Sequence, residues 1–204
     1  MQKITGSGVM VFIKDKEETL VLLLQNIRKR QMVMMEPGGI LEVGLSSMSN
    51  ALKELYEETF AGLSKSDLDE DHKVIVNFEY LCYAVHIKID DLKFFQEVMS
   101  MNQKTLHMSN NRSLHSFNEC KGFNLVNLKE LMKVNLEYIQ KDNNQIPLHV
   151  RTKSALKEFL AKGIIEKDLS IKLPLFQCSL DKIRIKNPKS ALYVLNNQYT
   201  YVIH

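Results

Sequence analysis

The chain reads as a mixed α/β protein, and three observations lead there. Residues 8–13 (GVMVFI) and 19–25 (TLVLLLQ) are short apolar runs separated by a charged stretch. That is the pattern of two buried strands joined as a hairpin. Residues 38–63 open on a glycine pair and run into a segment with apolar residues at helical spacing. Residues 146–162 begin around Pro147 and carry Ala155, Leu156, Phe159 and Leu160, a second apolar-periodic helix that Gly163 would end.

The segments between these landmarks follow in order. Residues 26–35 read as a loop holding Arg28, Lys29 and Arg30, either a solvated turn or a rim that attracts an anion. Residues 65–73 are polar and form a loop. Residues 74–89 (VIVNFEYLCYAVHIKI) alternate in hydropathy and predict one long strand, or two joined by a tight bend. Within them Phe78, Tyr80 and Tyr83 are either sheet core or a platform for a planar ligand. Residues 91–101 predict a short amphipathic helix capped by Asp90 or Asp91, and 102–117 a polar loop with His107 and His115. Residues 1–163 are expected to form one domain. Residues 164–204 form an extension of one or two strands with a turn at Asn187 and Pro188. That extension covers the site, joins two copies as a homodimer, or only stabilises the domain.

Composition narrows the function classes. A 204-residue chain with 45% hydrophobic residues supports one domain with a full core. The net charge of +3, from 27 basic and 24 acidic residues, is too balanced to require nucleic acid as a partner, leaving only a local basic patch. Cys82, Cys120 and Cys178 are odd in number and lack metal-binding spacing, which favours a reduced, cytoplasmic protein. No apolar run is long enough to span a bilayer, and no signal peptide is expected.

The chemistry concentrates in residues 38–63. Glu54, Glu57 and Glu58 lie at i, i+3 and i+4, on one helix face. Met48, Ala51, Leu52, Leu55 and Thr59 lie on another, the core face. Three neighbouring carboxylates repel one another, so the cluster is either a solvated face or a site for a divalent cation. Hard oxygen ligands suit Mg²⁺ or Mn²⁺. Gly38, Gly39 and Gly44 crowd the approach after Pro37. Glycine lets a ligand approach the main chain closely. Glu36 precedes this turn and touches a ligand or holds the loop.

These residues resemble the signature of the Nudix hydrolases, G-x5-E-x7-R-E-U-x-E-E-x-G-U, where U is aliphatic. With Gly39 as the first glycine, Glu54 falls on the Glu after the Arg, Leu55 on the aliphatic position, and Glu57 and Glu58 on the paired Glu. Leu45 stands at the early Glu, Lys53 at the Arg, Phe60 at the late Gly and Ala61 at the last aliphatic place. In the family the early Glu pairs with the Arg, so Leu45 leaves Lys53 without that partner, and Lys lacks the forked guanidinium.

The resemblance implies an α/β/α sandwich with a mixed central sheet and a C-terminal extension. It implies Mg²⁺- or Mn²⁺-dependent hydrolysis of the pyrophosphate bond in a nucleoside diphosphate linked to another group. Glu54, Glu57 and Glu58 would hold the metal, and Gly38 and Gly39 would shape the diphosphate site. Glu119 matches a late Glu that completes metal binding or serves as general base, with Phe123 on the strand after it and residues 128–132 as the short helix that follows; the alternative for Glu119 is a surface acid. ADP-ribose, dinucleoside polyphosphates, damaged nucleotides and capped RNA ends all remain open as substrates. The departures at Leu45, Lys53 and Phe60 leave a second reading, a catalytically impaired nucleotide-binding or regulatory domain of the same fold.

Overall fold

Two apolar runs set the centre of the fold. Strands β1 (Gly6–Asp15) and β2 (Glu18–Arg28) pair antiparallel from Asp15↔Glu18 to Val11↔Leu22. Beyond that point they diverge, and the next piece of chain fills the fork. Strand β3 (Gln31–Met35) pairs with the far end of β2, while β4 (Gly38–Ile40) pairs with the near end of β1. Glu36 and Pro37 therefore lie inside the sheet, and Val9 N–H donates to the Pro37 carbonyl at 2.8 Å. The fork closes this tightly because Gly8 has no side chain: a Cβ there would lie 2.8 Å from the Gly38 Cα. The structure is a computed structural model that describes residues 3–15, 17–59, 63, 71–88, 92–108, 120–165, 175–177 and 200–202.

The remaining strands complete a seven-stranded mixed sheet. β6 (Tyr80–Lys88) runs parallel to β1, and β5 (Lys73–Val76) pairs antiparallel with β6. β7 (Gly122–Asn127) pairs antiparallel with β2. Side chains alternate across each strand, so Val9, Val11 and Ile13 face one layer and Met10 and Phe12 the other. The first layer contains α1 (Ser47–Glu58) and α2 (Leu92–Met108), packed through Ala51, Leu55, Phe95 and Met99. The second contains α3 (Leu128–Lys133), the hairpin of β8 (Tyr138–Lys141) and β9 (Asn144–Pro147), and α4 (Val150–Ala161), packed through Leu131, Ile139, Ala155, Leu156 and Phe159. Because both faces are covered, the central strands carry near-continuous apolar runs rather than alternating ones. The architecture is the expected α/β/α sandwich.

Several boundaries differ from the sequence reading. Residues 26–35 are strand on both sides of a two-residue turn, Lys29 and Arg30, both at positive φ. The sequence lacks the Asn or Gly that marks such a turn. Residues 74–88 hold two strands, joined through a turn with Asn77 and Phe78 at positive φ. α2 runs on to Met108, through residues read as a polar loop, with Asn102 fully buried and His107 in its last turn. The β8–β9 hairpin had no strong apolar signal. Gly163, at φ 61°, ends α4 as expected, but Ile164 and Ile165 continue into the core. Of residues 166–204 the structure describes only β10 (Leu175–Gln177) and β11 (Thr200–Val202), which pair with each other. Phe60, His115, Cys178 and the Asn187–Pro188 turn lie outside the described residues.

One buried group couples this core to pH. The His86 ring stacks on Phe12 at 5.1 Å, and its Nε2 has no hydrogen-bond partner. Burial, reinforced by the charges of Lys14 and His72, lowers its pKa to about 4. The unfolded chain takes up this proton near pH 6.5 and the folded chain does not, so stability falls as pH drops from 6.5 toward 4. Between pH 7 and pH 5 this amounts to roughly 2 kcal/mol for a single group. The His86→Phe variant should lose that share of the pH dependence in urea denaturation at the two pH values. An identical pH dependence in variant and parent would refute the assignment.

Candidate functional site

The site is built where the sheet fork meets α1. Ser46 caps this helix, its hydroxyl accepting from Ser49 N–H at 3.1 Å, which contributes about 1 kcal/mol. Ala51, Leu55 and Thr59 turn into the core, as the spacing predicted, and Met48 and Leu52 pack against it half-buried. Thr59 also shapes the exit: its hydroxyl donates to the Leu55 carbonyl at 2.6 Å and accepts from Leu63 N–H at 3.2 Å. The helix ends there without a glycine at position 60.

The acidic face is not solvated. Glu57 and Glu58 are only 6% and 4% exposed. Glu58 reaches across to the fork, where its Oε2 accepts from Gly38 N–H at 2.6 Å, and its Oε1 accepts from the Cys120 thiol at 3.3 Å. Burial first, and then the neighbouring charge of Glu54, raises the Glu58 pKa to about 8 against the pull of these donors. Glu54 lies against Gly39, where a Cβ would fall 2.5 Å from its Oε1. The glycine pair is thereby explained. Gly39 leaves the space that the Glu54 carboxyl occupies, and Gly38 brings an amide to Glu58.

Glu57 takes a different partner. Its Oε2 accepts from Lys53 Nζ at 2.7 Å, and the same ammonium lies 3.1 Å from Glu42 Oε1. Burial opposes the Lys53 charge, but Glu57, Glu42 and Glu54 outweigh it and raise the pKa. This corrects the expectation that Leu45 strands Lys53. A carboxylate three residues earlier, Glu42, stands beside it. Glu119 lies outside the described residues; Cys120, the next residue, is in contact with Glu58. Among the described residues, no group of three or more His, Cys, Asp or Glu side chains is arranged to hold a metal ion.

The opposite face of the fork carries Glu36, read from the sequence as a ligand contact or a loop anchor, and two residues that sequence reasoning missed, Arg151 and Thr152. Glu36 is fully buried. Arg151 Nε donates to its Oε1 at 2.5 Å, and the Thr152 hydroxyl donates to its Oε2. Glu36 is therefore a structural anchor of the loop. Arg151 also donates through Nη2 to the Gly38 carbonyl at 3.2 Å, and its guanidinium stacks 4.1 Å from the centroid of the Tyr80 ring. The Gly38 residue is thus held from both layers, by Glu58 through its N–H and by Arg151 through its C=O. One sequence signal was present: a cation in the first turn of a helix opposes the macrodipole and calls for a compensating acid.

Arg151 also lines a cavity of about 230 Å³, with Gly6, Gly39, Tyr80 and His149 among its walls. Tyr80 and Tyr83 are buried, whereas Phe78 is 80% exposed in the turn between two of the lining residues, Asn77 and Glu79. Ile40 and Val150 are exposed at the same rim. Burial and the charge of Arg151 lower the His149 pKa.

The two glycines make separable demands. A Cβ on Gly38 would lie 2.7 Å from the Gly8 Cα and 2.9 Å from the Ser7 carbonyl oxygen, both fixed backbone. A Cβ on Gly39 meets only the movable end of Glu54. Gly38→Ala should cost about 1–3 kcal/mol or more by overpacking, and Gly39→Ala distinctly less. Chemical denaturation of the two variants checks this, and equal losses would contradict the geometry.

No protein-family model matches the chain, and no curated protein matches it. Among solved structures it is similar to the C. elegans Ap4A hydrolase binary complex, at 14% identity over 79% of this chain and 98% of that one, with a TM-score of 0.47. It is similar to the NUDIX domain of Shewanella oneidensis NrtR complexed with ADP ribose, at 10% identity over 82% and 90% of the chains and a TM-score of 0.47. It is also similar to RenU, a Nudix hydrolase from M. smegmatis, at 9% identity over 80% and 88% and a TM-score of 0.43. At such identities, what each side chain does has to be argued from this chain's own geometry.

Proposed function

We propose that the chain is a divalent-metal-dependent hydrolase of the pyrophosphate bond in a nucleoside diphosphate linked to another group. The observation that carries this reading is the pairing of Glu54 with Glu58, two carboxyls brought together against the glycine pair, with Glu58 raised to about 8. Burying Glu58 beside the half-buried Glu54 costs stability unless a cation compensates the two. Hard carboxylate oxygens suit Mg²⁺ or Mn²⁺. Glu54 and Glu58 would hold the ion, and Glu57 would contribute the oxygen that it does not give to Lys53.

When bound, such an ion neutralises charge on the phosphoryl oxygens and acidifies a coordinated water. The chain's own residues supply the rest. Lys53 holds Glu57 in place, with Glu42 behind it. Arg151 and Glu58 fix the Gly38 peptide between the layers. Ion binding would displace the proton that Glu58 holds without the ion. The proton of the attacking water would pass to one of Glu54, Glu57 and Glu58 or to Glu119. The cavity beside Gly39 is suited to a planar group, because the exposed ring of Phe78, in the turn between the lining residues Asn77 and Glu79, offers a stacking face at its rim.

A second reading keeps the nucleotide and drops the turnover. It is favoured by the sequence departures at Leu45, Lys53 and Phe60 and by the engagement of Glu57 with Lys53. A substrate panel separates the two readings, scored by phosphate release with an added phosphatase, with and without Mg²⁺. Release on no substrate, with nucleotide binding intact, selects the second.

Two variants test the residues. Mg²⁺ should raise the melting temperature of the parent at pH 8, and Glu58→Gln should abolish that shift and lower kcat by at least about 100-fold. A Mg²⁺ shift preserved in Glu58→Gln would remove Glu58 from the metal set. Phe78 occupies the second position of a turn that favours glycine, at φ 63°. Phe78→Gly should therefore raise stability by about 1 kcal/mol while raising KM several-fold. Unchanged KM in that variant would exclude the ring from substrate binding.

A further inference from the structure

Three hairpin connections among the described residues place two consecutive residues at positive φ. They are Lys29–Arg30 (49° and 67°), Asn77–Phe78 (50° and 63°) and Asp142–Asn143 (47° and 63°). Turns of this kind favour Asn, Asp and Gly, since other side chains crowd the backbone in the left-handed region. The β8–β9 turn, Asp142–Asn143, follows that preference and serves as an internal control. The β2–β3 turn does not: it carries a lysine and an arginine, with Arg28 immediately before them. The chain accepts strain at a tip in order to present cations there, and strained residues of this kind cluster where something binds.

The surroundings of the tip identify the partner. Residues 27–32 are all exposed, so the hairpin projects from the sheet. Among the described residues no acid forms a salt bridge with Arg28, Lys29 or Arg30. Behind the cations sit Ile27 and Met32, a cross-strand pair that is 51% and 40% exposed. From the tip, β3 leads directly to the cavity: the Met34 carbonyl accepts from His149 N–H at 2.8 Å, and the charge of Arg28 acts on the His149 ring. Arg30 to Met34 is four residues, or roughly 13 Å of strand. An anion reaching from the cavity to the tip must therefore be a chain of charges rather than one phosphate group.

We infer that the β2–β3 hairpin is a docking surface for single-stranded nucleic acid, whose phosphodiester backbone meets Arg28, Lys29 and Arg30 while a base lies on Ile27 and Met32. Cations outermost with apolar side chains behind them match phosphates outside and base faces inside. A membrane surface would call for the reverse order, with apolar side chains at the tip. The inference takes from the proposed function only the end of the strand, a terminal nucleotide in the cavity beside Gly39.

The test uses the full chain and a labelled ten-nucleotide single-stranded RNA, followed by fluorescence anisotropy across a salt series. The double variant Lys29→Asn with Arg30→Gly gives the turn its favoured residues, so it should denature at higher urea than the parent. Its RNA affinity should fall at least tenfold at low salt, and the slope of log affinity against log salt should flatten by about 1.4, for two charges at ~0.7 each. Its Mg²⁺-dependent thermal shift with a nucleoside diphosphate should be unchanged. Equal RNA affinity and slope in parent and variant would overturn the inference, as would tip-dependent binding to phosphatidylserine vesicles with none to RNA. Phe78→Gly separates the two proposals. Its failure to alter nucleoside diphosphate binding counts against the cavity reading, while tip-dependent RNA binding stands or falls independently.

Discussion

The divergence of β1 and β2 is the constraint on which the rest depends. Were the two strands to stay paired along their whole length, residues 36–39 would pass over the sheet as an ordinary loop. Instead they lie within it, and each successive residue is claimed by one of the two helical layers. Glu36 turns to α4 and meets Arg151 and Thr152. Gly38 offers its amide to α1 and its carbonyl to α4. Gly39 leaves room for Glu54. A polar backbone buried at this depth must find partners, and the partners it finds are the charged side chains of the two flanking helices.

Charge burial follows from that arrangement. Glu36 is fully buried but compensated, by a guanidinium and a hydroxyl on its two oxygens. Glu57 is nearly buried and compensated by Lys53, with Glu42 as the outer member of the chain. Glu58 is the exception. It receives an amide and a thiol, both weaker than a cation, and faces the charge of Glu54. Its proton affinity is raised for that reason, and the same imbalance makes it the place where an added cation would be most favourable. The site thus differs from its surroundings in having an acid whose compensation is incomplete.

The turns carry a parallel message. Strand pairing fixes the backbone of each hairpin, so the turn residues adopt positive φ whatever their type. Where the chain has placed Asp142 and Asn143, local preference and global fold agree. Where it has placed Lys29 and Arg30, or Phe78, they disagree, and those side chains stand exposed at the end of the molecule that holds the cavity. Leu136, at φ 58°, takes the same conformation within the core, so it is exposure at the cavity end that sets the other two turns apart.

The sequence by itself determined the mixed α/β class, the central strands, α1 with its core face, and the end of α4 at Gly163, because burial imposes a period on residues close in the chain. It also brought out Glu54, Glu57, Glu58 and the glycine pair, whose spacing lies within one turn and one helix. It could not reveal the β2–β3 turn, the full length of α2 or the β8–β9 hairpin, where the usual turn and apolar signals are weak and tertiary packing overrides them. Only the tertiary structure decided that Glu42 stands in for a carboxylate at position 45, that Glu36 belongs to Arg151, 115 residues away, and that Glu57 and Glu58 have different partners. These are contacts between separate elements across a sheet fork, and no local pattern encodes which carboxylate will meet which cation once the strands part.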